Sequence, residues 1–138
     1  TVQTATPVRS ERRIARQGEG VVLLVEDEAP VRAFAARALR LRGYTVHEAE
    51  NAEEALAMLS DPGLAIDVFV TDVIMPGMDG PSWVREALKD RPNVHTVFVS
   101  GYAEDSLADA QTRIPNSVFL PKPFSLSELT ATVQGQIH

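Results

Sequence analysis

Residues Val21–Ala49 read VVLLVEDEAPVRAFAARALRLRGYTVHEA, and this stretch decides the fold. VVLLV (21–25) is a short, wholly apolar, β-branched run, as expected of a strand covered on both faces. Behind it Val31, Phe34, Ala35, Ala38 and Leu39 recur at helical spacing and form one apolar stripe. Pro30 suits the first turn of that helix and Gly43 the residue just past its end. Tyr44–Glu48 then reads as a second, more polar strand, suited to a sheet edge.

The same alternation continues outward. Asn51 and Glu54 have the spacing of a helix N-cap and its reciprocal partner, with Ala55, Leu56 and Leu59 on the buried face and Pro62–Gly63 as the stop. Val68–Thr71 reads as a strand, Pro81–Lys89 as a helix with Trp83, Val84, Ala87 and Leu88 inward, and Val94–Val99 as a strand. Ala103–Arg113 is a weak helix and Ser117–Leu120 a last short strand. Ser125 and Glu128 open a final helix in capping-box spacing, with a stripe of Leu126, Leu129, Val133 and Ile137. Strands alternating with helices imply βαβ crossovers, hence a parallel sheet with helices on both faces. Such sheets take ligands beyond the carboxyl ends of their strands.

Composition sets the bounds. A chain of 138 residues, 44% hydrophobic and 23% charged, is one domain's worth of soluble globular protein. It lacks cysteine, which excludes disulfide and thiolate chemistry and fits a cytoplasmic domain. No apolar run approaches the roughly 20 residues that span a bilayer, so no direct membrane contact is expected. Residues 1–18 carry Arg9, Arg12, Arg13 and Arg16 against Glu11, a net of +3 in a chain of −6, leaving −9 on the rest. So acidic a body repels nucleic-acid phosphate. The basic head has too few apolar residues to form a face and reads as a flexible linker over 1–19, with the folded domain over 20–138.

The strand ends carry the chemistry. The first strand stops at Glu26-Asp27, the third at Asp72, the fourth at Ser100, and the fifth just before Lys122-Pro123. In a parallel sheet all of these converge on one edge. Carboxylates about 4 Å apart repel by about 4 kcal/mol at an effective dielectric of 20, which calls for a counterion. An all-oxygen, partly hydrated donor set suits Mg²⁺. Lys122 and the Ser100 hydroxyl would meet phosphoryl oxygens. Asp72, on a central strand, is the candidate nucleophile of a phosphoryl transfer, a reaction that asks the protein chiefly for positioning and charge neutralisation. Taken singly each residue has a plainer role: Asp27 as a helix cap, Asp72 and Ser100 as turn residues, Lys122 as a solvated lysine. Their joint occurrence at successive strand ends favours a functional cluster. Asp67 lies at the wrong end of its strand, Asp79 reads as a helix cap, and His47, His95 and His138 lack metal-ligand spacing.

The motifs VVLLVEDE, VFVTDVIMPGMDG, VFVSGYA and VFLPKPF, in this order, resemble the receiver domains of two-component response regulators over Val21–Ile137. The resemblance implies a flavodoxin-like (βα)₅ doubly wound parallel sheet with strand order 2-1-3-4-5. It implies Asp72 as phosphoacceptor, Asp27 as direct Mg²⁺ carboxylate, Glu26 as its acidic neighbour acting through water, and the backbone carbonyl of Ile74 as a further metal ligand. It also implies Ser100 and Phe119 as switch residues and a cis peptide between Lys122 and Pro123. Glu26 stands where the family more often has Asp, and Phe119 lacks the tyrosine hydroxyl common at that position.

VFVSGYAEDS and NSVFLPKPFS look similar to the C-terminal receivers of cell-cycle hybrid histidine kinases of alphaproteobacteria. A chain that starts at Thr1 and stops directly after its last helix fits that reading, with the parent kinase anchored in the inner membrane. The partners it implies are a histidine kinase core, in the same polypeptide, and a histidine phosphotransferase. A free-standing single-domain response regulator is the alternative, and an interaction module that never turns over phosphate is a third reading. Residues 103–113, AEDSLADAQTR, offer Leu107 and a few alanines as their only apolar face. This helix is therefore expected to open most readily. Its amides should exchange with deuterium faster than those of 30–41; equal protection in the two segments would refute the expectation.

Overall fold

The structure is a computed structural model that describes residues 20–100, 114–122 and 124–137, with Ser100 described by its backbone alone. Five strands and four helices alternate among the described residues: β1 (Val21–Val25), α1 (Ala29–Leu41), β2 (Thr45–Ala49), α2 (Ala52–Leu59), β3 (Val68–Asp72), α3 (Gly80–Leu88), β4 (His95–Ser100), β5 (Ser117–Pro121) and α4 (Leu126–Ile137). The weak helix expected over Ala103–Arg113 lies outside the described residues, as does the linker expected over 1–19.

The sheet runs β2-β1-β3-β4-β5 with every pair parallel, the flavodoxin-like order. Alternation along the strands divides the core in two. Val22, Leu24, Val68, Val70, Val97 and Val99 face one way and pack with Ala35, Leu39, Leu129 and Val133 of α1 and α4. Leu23, Val25, Phe69 and Phe98 face the other way, onto Ala52, Ala55, Trp83 and Val84 of α2 and α3. Burial on both sides is why β3 is apolar until its last two residues, with all five positions buried.

Local chemistry closes the elements, with some departures from the sequence reading. Asn51 Oδ1 accepts from the Glu54 amide at 2.7 Å, but the Glu54 carboxylate accepts from the Glu50 amide, not from Asn51. Helix α2 ends at Leu59, before Pro62–Gly63, where the Arg91 guanidinium donates to the carbonyls of Leu59, Asp61 and Leu64 and so satisfies the frayed helix end. Ser125 and Glu128 form the reciprocal capping box, at 2.8 and 3.0 Å. Asp79 caps α3 through the Ser82 amide. The β2 edge strand runs from Thr45 to Ala49, one residue later than expected, and Tyr44 just before it is buried in the cluster formed with α1 and α4.

Two expected core residues lie outside the core. Phe34 is 44% exposed, its ring 6.3 Å from that of Phe124, because α1 presents Ala35, Ala36, Ala38 and Leu39 to the sheet. Leu126 is also 44% exposed. Thr130 takes a buried position in α4, donating its hydroxyl back to the Leu126 carbonyl.

The connection from β3 to α3 positions the acidic edge. The Gly80 amide donates to the Val73 carbonyl at 2.8 Å, folding the chain back on the strand it has just left. A Cβ at Gly80 would sit 2.1 Å from the Asp72 carbonyl oxygen, so only glycine allows this approach. Gly80→Ala should therefore lower the unfolding free energy by roughly 1–3 kcal/mol, read from urea denaturation. An unchanged midpoint would mean that the loop moves aside freely.

Candidate functional site

The parallel register brings the charged strand ends together. Val25 lies opposite Thr71, so Glu26 and Asp72 follow on neighbouring strands. The Glu26 amide continues the ladder to the Ala49 carbonyl, and the Val73 amide to the Val99 carbonyl. Both acids are buried, at 4% and 5% exposure. Lys122 follows β5 and reaches back across the end of β4, its Nζ 2.9 Å from Asp72 Oδ1 and 3.1 Å from Glu26 Oε1. Asp27 is exposed, yet single carboxylate oxygens of Glu26, Asp27 and Asp72 all lie within 4.8 Å of one another.

The remaining expected residues are placed less tightly. The Ser100 backbone ends β4 opposite Pro121, with its side chain outside the described residues, as is Pro123. Phe119 lies opposite Phe98 in β5, partly buried against the α2–α3 side of the core. Ile74 follows Asp72 by two residues with a half-exposed side chain. Asp27 does not cap α1: the N-cap position belongs to Glu28, whose side chain makes no capping bond. Asp67 has a structural task, Oδ2 accepting from the Val21 amide at 2.8 Å. His95 Nδ1 pairs with Gln136 Oε1 at 3.2 Å, and His47 lies partly buried on β2.

Three supporting groups escaped the sequence reading. Glu28 donates its amide to Glu26 Oε2 at 3.1 Å and brings a fourth carboxylate to 3.9 Å from Lys122. Arg32 Nη1 donates to the Glu26 carbonyl at 2.7 Å. The fully buried Trp83 donates its indole N–H to Thr71 Oγ1, whose hydroxyl in turn reaches the Asp72 carbonyl, both at 3.0 Å. A buried indole N–H usually finds an acceptor, and that tendency was the readable signal for Trp83. Arg32 had none, because its partner is a main-chain oxygen.

The electrostatics show a shortage of positive charge. Burial above all, with the adjoining Glu26 carboxylate, pushes the Asp72 pKa up to about 8 against the pull of Lys122. Burial also opposes ionisation of Glu26. There it is outweighed by hydrogen bonds from Asp72 and the Glu28 amide and by Lys122, so Glu26 is held below the usual carboxylate range. Burial works against the Lys122 ammonium, but the two carboxylates hold its pKa above the ordinary lysine value. Of the two acids, Asp72 is the one pushed toward holding a proton. A hard divalent cation fits this donor set: three carboxylates, one of them open to solvent, with a single ammonium among them.

Beside the acids lies an apolar groove of about 510 Å³ lined by Pro30, Val31, Phe34, Phe124 and Lys122 itself. The site is thus an acidic, lysine-bridged pocket at the carboxyl edge of a doubly wound sheet, open on one side to an apolar groove.

Comparison with known proteins gives the class to which the chain belongs. The sequence profile of the response regulator receiver domain matches residues 22–134. The chain belongs to that family. It is 48% identical over 128 residues to the sensor kinase CckA of Brucella abortus, covering 93% of this chain but 14% of that kinase. It is 30% identical over 116 residues to the response regulator receiver protein CpdR of Brucella abortus, covering 84% of this chain and 95% of CpdR. The crystal structure of the receiver domain from the hybrid histidine kinase CckA superposes with a TM-score of 0.74 at 39% identity, covering 86% of this chain and all of that one.

The raised pKa of Asp72 has a measurable consequence. The unfolded chain releases the Asp72 proton near 3.8, the folded chain near 8, so between those values the folded state binds more protons and stability falls as pH rises. Glu26 acts in the opposite sense, losing its contribution as pH falls below its usual value of 4.5. In metal-free buffer, Asp72→Asn should melt higher than wild type near pH 8 and show a flatter pH profile across that window. Parallel profiles for the two proteins would refute the assignment.

Proposed function

We propose that this domain accepts a phosphoryl group on Asp72 from a phosphohistidine, in a Mg²⁺-dependent reaction, and passes it on to the histidine of a phosphotransferase. The observation that carries this reading is the buried Asp72 carboxylate held 2.9 Å from Lys122 within a cluster of three acids. Asp27, Asp72 and the Ile74 carbonyl would hold the cation, with Glu26 through water. When bound, the cation supplies positive charge to phosphoryl oxygens and to the acids.

The chain's own residues do the rest. Asp72 must lose its proton to attack, and added positive charge at the cluster favours that loss. Its carboxylate oxygen forms a bond to phosphorus as the phosphorus–nitrogen bond of the phosphohistidine breaks, and the imidazole nitrogen keeps the electron pair. Lys122, 2.9 Å from Asp72, would follow the charge on the transferring group, and the Ser100 hydroxyl would donate to a phosphoryl oxygen, with Ser100 and Phe119 coupling the change outward. For a histidine to reach Asp72, its protein must cover the groove that Lys122 shares. The exposed Phe34, with Pro30 and Val31, offers an apolar face to the helix bearing that histidine.

The similarity to CckA supports a receiver within a hybrid kinase; a place at the kinase's C-terminal end, on the cytoplasmic side of the membrane, with residues 1–19 as a basic linker, completes the proposal. No helix among the described residues is long and apolar enough to cross a membrane. The 95% coverage of CpdR favours a second reading, a free-standing receiver that acts by phosphorylation-controlled binding. A radiolabelled phosphotransfer assay tests both. Wild type with Mg²⁺ should take label from a phosphorylated kinase core and hand it to a histidine phosphotransferase, whereas Asp72→Asn should do neither. Uptake without onward transfer would favour the free-standing reading, and no uptake from a competent donor would overturn the proposal.

A further inference from the structure

A chain of charges leads away from the acidic site along α1. Arg32 Nη1 donates to the Glu26 carbonyl at 2.7 Å, and its Nε lies 3.6 Å from Glu48 Oε1 on the edge strand β2. The second oxygen of Glu48 accepts from Arg40 Nη1 at 2.9 Å, while Arg40 Nη2 donates to the Val46 carbonyl at 2.8 Å. Glu48 therefore lies between two guanidiniums, and both are tied to main-chain oxygens. The Arg32 side chain is only 20% exposed, so its fork is held by its partners instead of by water.

What Arg32 holds is the peptide carbonyl that joins Glu26 to Asp27. That peptide joins the buried Glu26 to the exposed Asp27, and each residue brings a carboxylate oxygen to the same cluster, within 4.8 Å of the other. The Glu28 amide fixes the Glu26 carboxylate from the other side, at 3.1 Å. We infer that Arg32 is a positioning residue for the cation site, clamping the Glu26–Asp27 peptide so that Asp27 is presented to the metal.

The inference rests on the Mg²⁺ reading above, and it makes a prediction of definite sign. A guanidinium near a cation site repels the cation, so if Arg32 acted through its charge alone, removing it would tighten Mg²⁺ binding. If it acts by holding the peptide, removing it weakens binding, roughly tenfold by the usual effect of losing a group that orients a metal ligand. Titration calorimetry with MgCl₂ on the 138-residue chain reads this directly and needs no phosphoryl donor. Arg32→Ala and Arg32→Met should both bind Mg²⁺ roughly tenfold more weakly than wild type, with circular dichroism confirming that each is folded. Met keeps the packing of the aliphatic stem, so it carries the test if the Ala variant does not fold. Unchanged or tighter binding in the folded variants would overturn the role of Arg32 and leave the site reading intact. A wild type that binds no Mg²⁺ would overturn both.

Discussion

The contact on which the rest of the site depends is the Lys122 ammonium lodged between Asp72 and Glu26. One positive charge at about 3 Å from two buried carboxylates is enough to hold the cluster together and too little to neutralise it. The imbalance shows in the Asp72 carboxyl, whose pKa burial and the neighbouring Glu26 push up to about 8. A protein that only needed stability would place apolar residues here, since buried ionic clusters seldom earn their desolvation cost. The charge deficit is what the proposed cation would relieve.

The fold makes this deficit possible. Strands β1 and β3 are central and covered on both faces, so Glu26 and Asp72 are buried where the strands end, while Asp27 and Ile74 just beyond them reach solvent. The tight return at Gly80 and the Trp83–Thr71–Asp72 chain of hydrogen bonds hold the end of β3 against movement. Arg32 does the same for the end of β1. Lys122 comes from the far side of β4, and its long stem lets a third strand contribute without crowding the pocket. The adjoining groove is apolar because α1 turns its alanine-rich side to the sheet, and this leaves Phe34 outside against Phe124. An exposed aromatic beside a charged pocket is a poor arrangement for an isolated chain and a good one for a partner that must approach Asp72 closely.

Much of this was legible in the chain. Strand and helix periods announced the alternating fold, and a rule of parallel sheets pointed to Glu26, Asp27, Asp72, Ser100 and Lys122 before any geometry was known. The motif order identified the family. Less legible were the positions where a side chain answers to the main chain of a distant element. Arg32 on the Glu26 carbonyl and Arg91 on the end of α2 are invisible to a reading of side-chain types, because any residue has a carbonyl. Phe34 was misread for a related reason: hydrophobicity places a residue on an apolar stripe, but the angle at which a helix meets its sheet decides which edge of the stripe is covered.

The sequence by itself therefore determined the order of elements, the parallel sheet and the identity of the acids and lysine at its carboxyl edge. These follow from local periodicity and from topology, which depend on residue type alone. Only the tertiary structure decided that the Asp72 carboxyl is pushed up while that of Glu26 is held down, that Glu28 and not Asp27 takes the N-cap position of α1, and that Phe34 faces outward. Those outcomes depend on distances of a few ångströms between residues far apart in the chain. At that range burial and Coulomb energy change steeply with position, and no pattern along the sequence encodes them.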